Sequence, residues 1–447
     1  MSTAIRFTGD GGELPASQVH DVLRERILVD GFDLVLDLER SRGTHLVDQR
    51  DGTSYLDMFG FFASSALGMN HPELADDDAF RRELAAAAVN KPSNSDIYTV
   101  PMARFVETFA RVLGDPALPH LFFIDGGALA VENALKVAFD WKSRLNEGRG
   151  LDPSLGTKVL HLTEAFHGRS GYTMSLTNTE PGKVARYPKF DWPRIDSPYL
   201  ADGRDVEDAE RRALDQARRA FAENPSDVAC FIAEPIQGEG GDHHFRPEFF
   251  QAMEALCREN DALFIFDEVQ TGCGLTGTAW AYQQMGVHPD VVAFGKKTQV
   301  CGIMAGGRVD DIPDNVFAVS SRINSTWGGN LTDMVRSRRI LEIVEEDRLV
   351  DRARMTGAHL LERLRELARA NAEVTEPRGR GLMCAITLPT PQRRDRVVAE
   401  LRERERVLIL PTGKRGIRFR PPLTVTTAEL DAAVDALARV LGGTVDA

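Results

Sequence analysis

The chain is poor in the features that mark a membrane protein, a nucleic-acid binder or a thiolate metal site. It has five cysteines, Cys230, Cys257, Cys273, Cys301 and Cys384. None is spaced as C-x-x-C and the count is odd, which fits a reducing compartment and offers no zinc pattern. There is no positive excess either. A net charge of −13 argues against a general nucleic-acid binder and against an anionic membrane surface. No apolar run approaches the ~20 residues of a membrane span. The start, M-S-T-A-I-R-F-T-G-D, lacks the apolar stretch of a secretion signal. No internal repeat or low-complexity tract stands out. The expectation is a cytoplasmic protein with no nucleic-acid and no membrane partner.

What is present is an ordinary globular composition in 447 residues, too many for one core, so two or three domains are expected. Residues 1–60 open on a polar start and a short amphipathic helix around Val19, Leu23 and Ile27. Alternating stretches over 32–59 (L-V-L-D-L-E, T-H-L-V-D, S-Y-L-D-M-F), with turn signals at Arg42-Gly43 and Asp51-Gly52, then predict a small antiparallel sheet. G-F-F-A-S-S-A-L-G-M-N-H-P follows and reads as a buried loop or pocket wall, as does Asn90 to Val100. From there to about residue 330 helix and strand patterns alternate. The predicted strands are His120 to Ile124, Lys158 to Leu162, Ala229 to Ala233, Leu263 to Phe266, Val291 to Phe294 and Ile303 to Arg308, with helices such as Ala130 to Lys142 and Pro247 to Glu259 between them. That is a doubly wound α/β core over 61–330. Residues 331–447 predict one long helix over about 332–371. Several strands and a last helix capped by Thr426 and Glu429 follow, making a small α+β domain.

Two stretches carry the chemistry. Leu263 to Phe266 ends on Asp267 and Glu268, and Val291 to Phe294 ends on Gly295, Lys296 and Lys297. Both read as buried parallel strands delivering charge at their carboxyl ends, where open α/β sheets bind ligands. An acid at one strand end and a lysine at the next suit pyridoxal 5′-phosphate, which is held by a lysine while an aspartate keeps its ring nitrogen protonated. The plainer alternatives are a capped turn for D-E and a surface pair for K-K. Three further motifs weigh on the choice. F-F-I-D-G-G-A-L-A-V-E-N-A-L-K is strand, glycine turn and helix, and at Gly127 and Ala128 backbone N–H groups can approach a phosphate. E-A-F-H-G-R-S offers Phe166 and His167 to stack on an aromatic ring and Arg169 to clamp a carboxylate. A-E-P-I-Q-G-E-G-G brings Glu234 and Glu239 to a third strand end, and D-E-V-Q adds Gln270 for the ring hydroxyl.

The order H-G-R, E-P-I-Q-G-E-G-G, D-E-V-Q-T-G, F-G-K, S-T-W-G-G-N resembles the class III aminotransferases over essentially the whole chain. The resemblance implies the type I fold of such enzymes, with a large doubly wound, mostly parallel sheet domain and a small α+β domain built from both chain ends. It implies Lys296, rather than Lys297, as the lysine that holds the cofactor, and Asp267 as the partner of its ring nitrogen. Arg169 would take the remote carboxylate of either substrate, and Arg418 the carboxylate beside the reacting carbon. Glu239 would neutralise Arg418 when that carboxylate is absent, and Asn324 would touch substrate. Thr326 would reach the phosphate of the neighbouring subunit across a homodimer interface. Three departures separate this chain from the commoner wording. The phosphate turn is D-G-G-A, where most members have a Ser-Gly-Ser/Thr-Glu-Ala type. Leu275 stands where many have arginine, and K-T-Q-V-C-G follows the lysine. Together with M-F-G-F-F-A-S-S-A-L-G-M-N-H-P they are similar to the branch that moves the 6-amino group of L-lysine to 2-oxoglutarate, releasing L-glutamate. Ornithine, 4-aminobutyrate and diamine donors remain open beside it, since one or two methylenes discriminate by only about 1–3 kcal/mol. A protein of this fold without activity is the alternative from another class.

Overall fold

The computed structural model describes residues 14–442; the polar start of the chain and residues 443–447 lie outside them. Seven strands form the central sheet: β1 (His120–Ile124), β2 (Lys158–Leu162), β3 (Arg194–Ile195), β4 (Val228–Ala233), β5 (Leu263–Asp267), β6 (Val291–Phe294) and β7 (Cys301–Ala305). Their order is β1-β7-β6-β5-β4-β2-β3. The pairs from β6 through β3 are parallel. β7 runs antiparallel to both β6 and β1. Two reversals leave β1 parallel to β6, so β1, β2, β4, β5 and β6 all end on one edge. Every residue of β4, β5 and β6 is buried. Runs such as F-I-F-D and V-V-A-F have no polar face to offer water, so the sheet needs cover on both sides. Val131, Leu135 and Trp141 of the helix Gly127–Gly148 supply one layer. A phenylalanine-rich core that includes Phe109, Phe249 and Phe250 supplies the other.

The second core joins the two ends of the chain. Met58, Ala63 and Leu67 pack with Ile386, Phe419 and Leu430 over a four-stranded antiparallel sheet of Thr375–Arg380, Met383–Thr387, Gly416–Phe419 and Leu410–Thr412. The last helix, Thr427–Gly442, begins with the expected reciprocal cap. Glu429 N donates to Thr426 Oγ1 (3.2 Å) and Thr426 N donates to Glu429 Oε2 (2.7 Å). Leu430, Val434, Leu437 and Leu441 are buried beneath it.

Four expectations change. His45–Val47 and Ser54–Asp57 do pair antiparallel, but L-V-L-D-L-E is no strand. Asp37 Oδ1 accepts the N–H groups of Glu39 and Arg40 and folds the segment into a turn. The third strand there is Val407–Leu408, parallel to Ser54–Asp57. The long helix is two, Leu331–Glu346 and Leu349–Ala370, broken where Arg348 turns left-handed (φ 52°). The strand predicted for Ile303 to Arg308 lies two residues earlier, ending where Gly307 (φ 54°) turns the chain. The helix near Val19 spans Val19–Arg24 and buries none of its residues.

The second helix of the broken pair touches the turn at Gly381 with almost no clearance. A Cβ on Gly357 would lie 2.1 Å from the carbonyl of Gly381. Gly381 is itself left-handed (φ 54°), and the next residue donates its N–H to the Leu275 carbonyl at 2.9 Å. Gly357→Ala is therefore expected to cost about 1–3 kcal/mol of stability through overpacking, read as a lower midpoint of thermal unfolding.

Candidate active site

The carboxyl ends of β1, β2, β4, β5 and β6 surround a cavity of about 330 Å³ whose walls include Gly127, Phe166, His167, Asp267, Gln270 and Lys296. The β5–β6 register sets Ala293 beside Asp267, so Lys296 follows three residues past the aspartate's level.

Lys296 occupies a left-handed backbone position (φ 55°), a conformation worth roughly 1–3 kcal/mol of strain in a non-glycine residue. The neighbouring loop holds it there: Gln299 Nε2 donates to Lys296 O (3.2 Å) and to Ser64 O (3.0 Å). Burial, and then the Arg418 charge, push the Lys296 amine down to about 8, against the pull of Glu239 and Asp267. Lys297 points elsewhere. Its amine is sealed in the protein and donates to Ala63 O at 2.7 Å.

Asp267 forms the acid end. Its Oδ1 accepts Val269 N (3.0 Å) and its Oδ2 lies 2.8 Å from His167 Nδ1. An imidazole nitrogen facing a carboxylate carries the proton, so His167 donates there. The imidazole edge is thus engaged by Asp267, and both His167 and Phe166 line the cavity. Glu234 ties the neighbouring loops together by accepting Phe166 N (2.9 Å) and Gly238 N (3.0 Å). Burial, opposed by His167 and reinforced by Asp267, pushes its carboxyl up to about 7.

At the opposite wall the 22-residue helix Gly127–Gly148 starts at Gly126 (φ 103°) with no side chain capping its first N–H groups. Side chains here would fill the space: a Cβ on Gly168 would lie 2.5 Å from that of Ala128, and one on Gly127 would lie 3.0 Å from Val269.

The carboxyl-terminal sheet brings two arginines close enough to act on the Lys296 amine. Arg418 is 3% exposed and its Nη1 lies 2.7 Å from Glu239 Oε1. Burial raises the Glu239 carboxyl, but Arg418, with Lys296 and Lys183, more than offsets this and holds it below its ordinary value. Arg420, fully buried, donates from Nε and Nη2 to Gln270 Oε1 (3.1 and 3.0 Å) and pairs with Asp242. Sequence reasoning missed Arg420, although the signal was there. In R-F-R the two arginines are two residues apart as the strand Gly416–Phe419 ends, so an extended chain sets them on one side.

Three of the expected residues stand apart from this group. Arg169, Asn324 and Thr326 are exposed, and none of them lines the cavity. Thr326 sits in a loop packed on the 91–99 segment, where Ser95 Oγ donates to Ser325 O (2.7 Å) and Lys91 lies over the Trp327 ring.

The residues present fit pyridoxal 5′-phosphate. Uncapped helix N–H groups beside small residues suit its phosphate. Asp267 with a donated hydrogen bond suits a cationic ring nitrogen, and Lys296, lowered to about 8, supplies a reactive amine. Among the described residues no cluster of His, Cys, Asp and Glu could hold a metal ion.

Comparison with known proteins gives the family. Residues 29–441 match the family described as aminotransferase class-III. An L-lysine-epsilon aminotransferase of Mycobacterium tuberculosis is 67% identical over 428 residues, 95% of each chain. One of Amycolatopsis lactamdurans is 60% identical over 434 residues, covering 95% of this chain and 96% of that one. A solved structure of lysine aminotransferase from M. tuberculosis in the internal aldimine form matches with a TM-score of 0.95 and 66% identity, over 96% of this chain and 99% of that one.

Proposed function

The chain belongs to the class III aminotransferases, which use pyridoxal 5′-phosphate, and on that premise we propose that it transfers the 6-amino group of L-lysine to 2-oxoglutarate. The products are 2-aminoadipate 6-semialdehyde, which closes to piperideine-6-carboxylate, and L-glutamate. The observation that carries this reading is the Glu239–Arg418 pair, whose two charges both reach the Lys296 amine, in a cavity that also holds Asp267. A donor whose reacting carbon bears no carboxylate meets a neutralised arginine. An acceptor whose reacting carbon does bear one needs that arginine free. A single pocket serves both because Glu239 can leave, and a buried arginine left without an anion would be costly.

Bound pyridoxal 5′-phosphate supplies a carbonyl carbon to receive the amino group and a cationic ring to take up the electrons released when the substrate C–H bond breaks. Lys296 would hold the cofactor, and its free Nζ would take the proton from carbon 6 of lysine. Asp267, fixed by His167, keeps the ring nitrogen charged. Gln270, its carbonyl already engaged by Arg420, has its amide N–H groups left to offer the ring hydroxyl. Arg169 takes the α-carboxylate of lysine and later the γ-carboxylate of 2-oxoglutarate, and Asn324 lies on the same path.

The enzyme works as a homodimer in this reading. The partner subunit's Thr326 completes the phosphate site, since Thr326 lies outside its own chain's cavity. A second copy would also cover the apolar groups that one chain leaves to water, Leu28 at 82% and Phe62 at 50% exposed among them. The five free cysteines fit the cytoplasm, and no helix among the described residues is long and apolar enough to cross a membrane.

The test is a half-reaction. Holoenzyme without keto acid is mixed in parallel with L-lysine, L-ornithine and 4-aminobutyrate, and loss of the visible cofactor band is followed. Lysine is expected to bleach it fastest and to yield a cyclic imine that an o-aminobenzaldehyde-type reagent traps. Equal or faster bleaching by ornithine would reassign the donor. An enzyme that never shows the band would overturn the cofactor reading.

A further inference from the structure

We infer that Lys183 is the second seat for the Glu239 carboxylate, the cation that receives it when Arg418 turns to the acceptor substrate. The inference rests on the exchange at Glu239 described above and adds where the carboxylate goes. Glu239 is held by two side chains at once. Its Oε1 lies 2.7 Å from Arg418 Nη1, and its Oε2 lies 3.8 Å from Lys183 Nζ. The two cations approach different oxygens. A modest rotation of the carboxylate therefore exchanges a pair with Arg418 for a pair with Lys183, and at no point is a part-buried anion left alone.

The surroundings favour Lys183 over any other cation for this task. A further positive group that acts on Glu239 is the Lys296 amine, which the reaction itself occupies. Lys183 belongs to the short turn Pro181–Lys183, outside the cavity wall, so it does not compete for substrate. Its Nζ lies 5.7 Å from the centre of the Phe166 ring, an attraction that holds the ammonium over that side of the site. It is also 2.9 Å from Glu180, whose carboxylate is 65% exposed. Water screens that bond, so it steadies Lys183 without outbidding a better-buried acid. The carbonyls on either side of the moving side chain are fixed. Thr412 Oγ1 donates to Gly238 O at 2.6 Å, and Gly413 N donates to Glu239 O at 3.1 Å. The side chain of Glu239 can therefore swing on a backbone that does not.

The experiment separates the two substrates. Purified holoenzyme is titrated calorimetrically with glutarate, a non-reacting dicarboxylate with the carboxylate spacing of 2-oxoglutarate, and the KM of each substrate is measured. Lys183→Met is expected to weaken glutarate and raise the KM for 2-oxoglutarate by about five- to tenfold, the scale of a part-buried ion pair. The KM for L-lysine is expected to move less than about twofold, and Lys183→Arg is expected to restore both acceptor values. In a Glu239→Ala background, where Arg418 has nothing to release, adding Lys183→Met is expected to change neither. Equal weakening of lysine and glutarate, or an undiminished effect in the Glu239→Ala background, would overturn the inference, because Lys183 would then act on ligand or fold directly. If Glu239→Ala tightens glutarate but Lys183→Met leaves it unchanged, the seat alone is lost. If Glu239→Ala shifts neither substrate, the exchange at Glu239 fails and the inference falls with it.

Discussion

Replacing Lys296 with alanine is expected to remove the visible cofactor band and to lower turnover by about 10⁴-fold or more. It deletes both the covalent anchor and the base, and positioned proton transfer alone is worth about 10²–10⁴. Lys297 is the natural control, because the two lysines adjoin and only their surroundings distinguish them. Lys296 opens on the cavity, whereas Lys297 is 1% exposed with its amine on the Ala63 carbonyl. Lys297→Met should keep the band and most of the turnover. It should instead lower the unfolding midpoint, since it leaves a buried carbonyl without its donor, a loss of roughly 1–3 kcal/mol. Absorbance spectra and thermal unfolding of the two purified variants check both halves. A band that survives in Lys296→Ala and vanishes in Lys297→Met would exchange the two assignments.

The second large effect is expected at Asp267. Asp267→Asn keeps the shape but removes the charge that holds a proton on the ring nitrogen, and turnover should fall by about 10²–10⁴. Lys296 is untouched, so the variant should still show the band. The change is sharpened by burial. Asp267 is 6% exposed, with His167 Nδ1 at 2.8 Å as its hydrogen-bond donor, and water cannot stand in for the lost charge. Turnover measured beside the spectrum tests this. A variant that keeps wild-type turnover would remove Asp267 from the proposed mechanism.

The parts of the molecule that were legible in the sequence are those fixed by local pattern. Strands Lys158–Leu162 and Val291–Phe294 and helix Pro247–Glu259 fall where they were predicted. Each is an apolar run or an amphipathic stretch bounded by its own turn residues. What stayed hidden depends on partners distant along the chain. Val407–Leu408 joins a sheet begun at His45, and no local period announces that pairing. The break at Arg348 has neither glycine nor proline to mark it; it is imposed by the packing of two helices. At the site, strand ends alone pointed to Asp267 and to the Lys296-Lys297 pair, and the choice of Lys296 came from the family resemblance. The hydrogen bond of His167 to Asp267 was not legible, because it joins the loop after one strand to the end of another, which only the folded sheet brings together. Arg169 was offered from its motif as a carboxylate clamp, and Asn324 and Thr326 were named through family resemblance. A single chain leaves them exposed, as expected of groups whose setting a second subunit or a substrate would complete.

The bond from Arg420 to Gln270 joins residues 150 positions apart, and the pair it makes with Asp242 spans 178. A ribosome that has finished all seven strands of the large sheet has therefore not yet made this site. Until residue 420 emerges, Asp242, with no exposed surface in the finished fold, has no cation, and Gln270 has no anchor. The order of synthesis thus leaves Gln270 and Asp242 without this anchor until almost the whole chain exists.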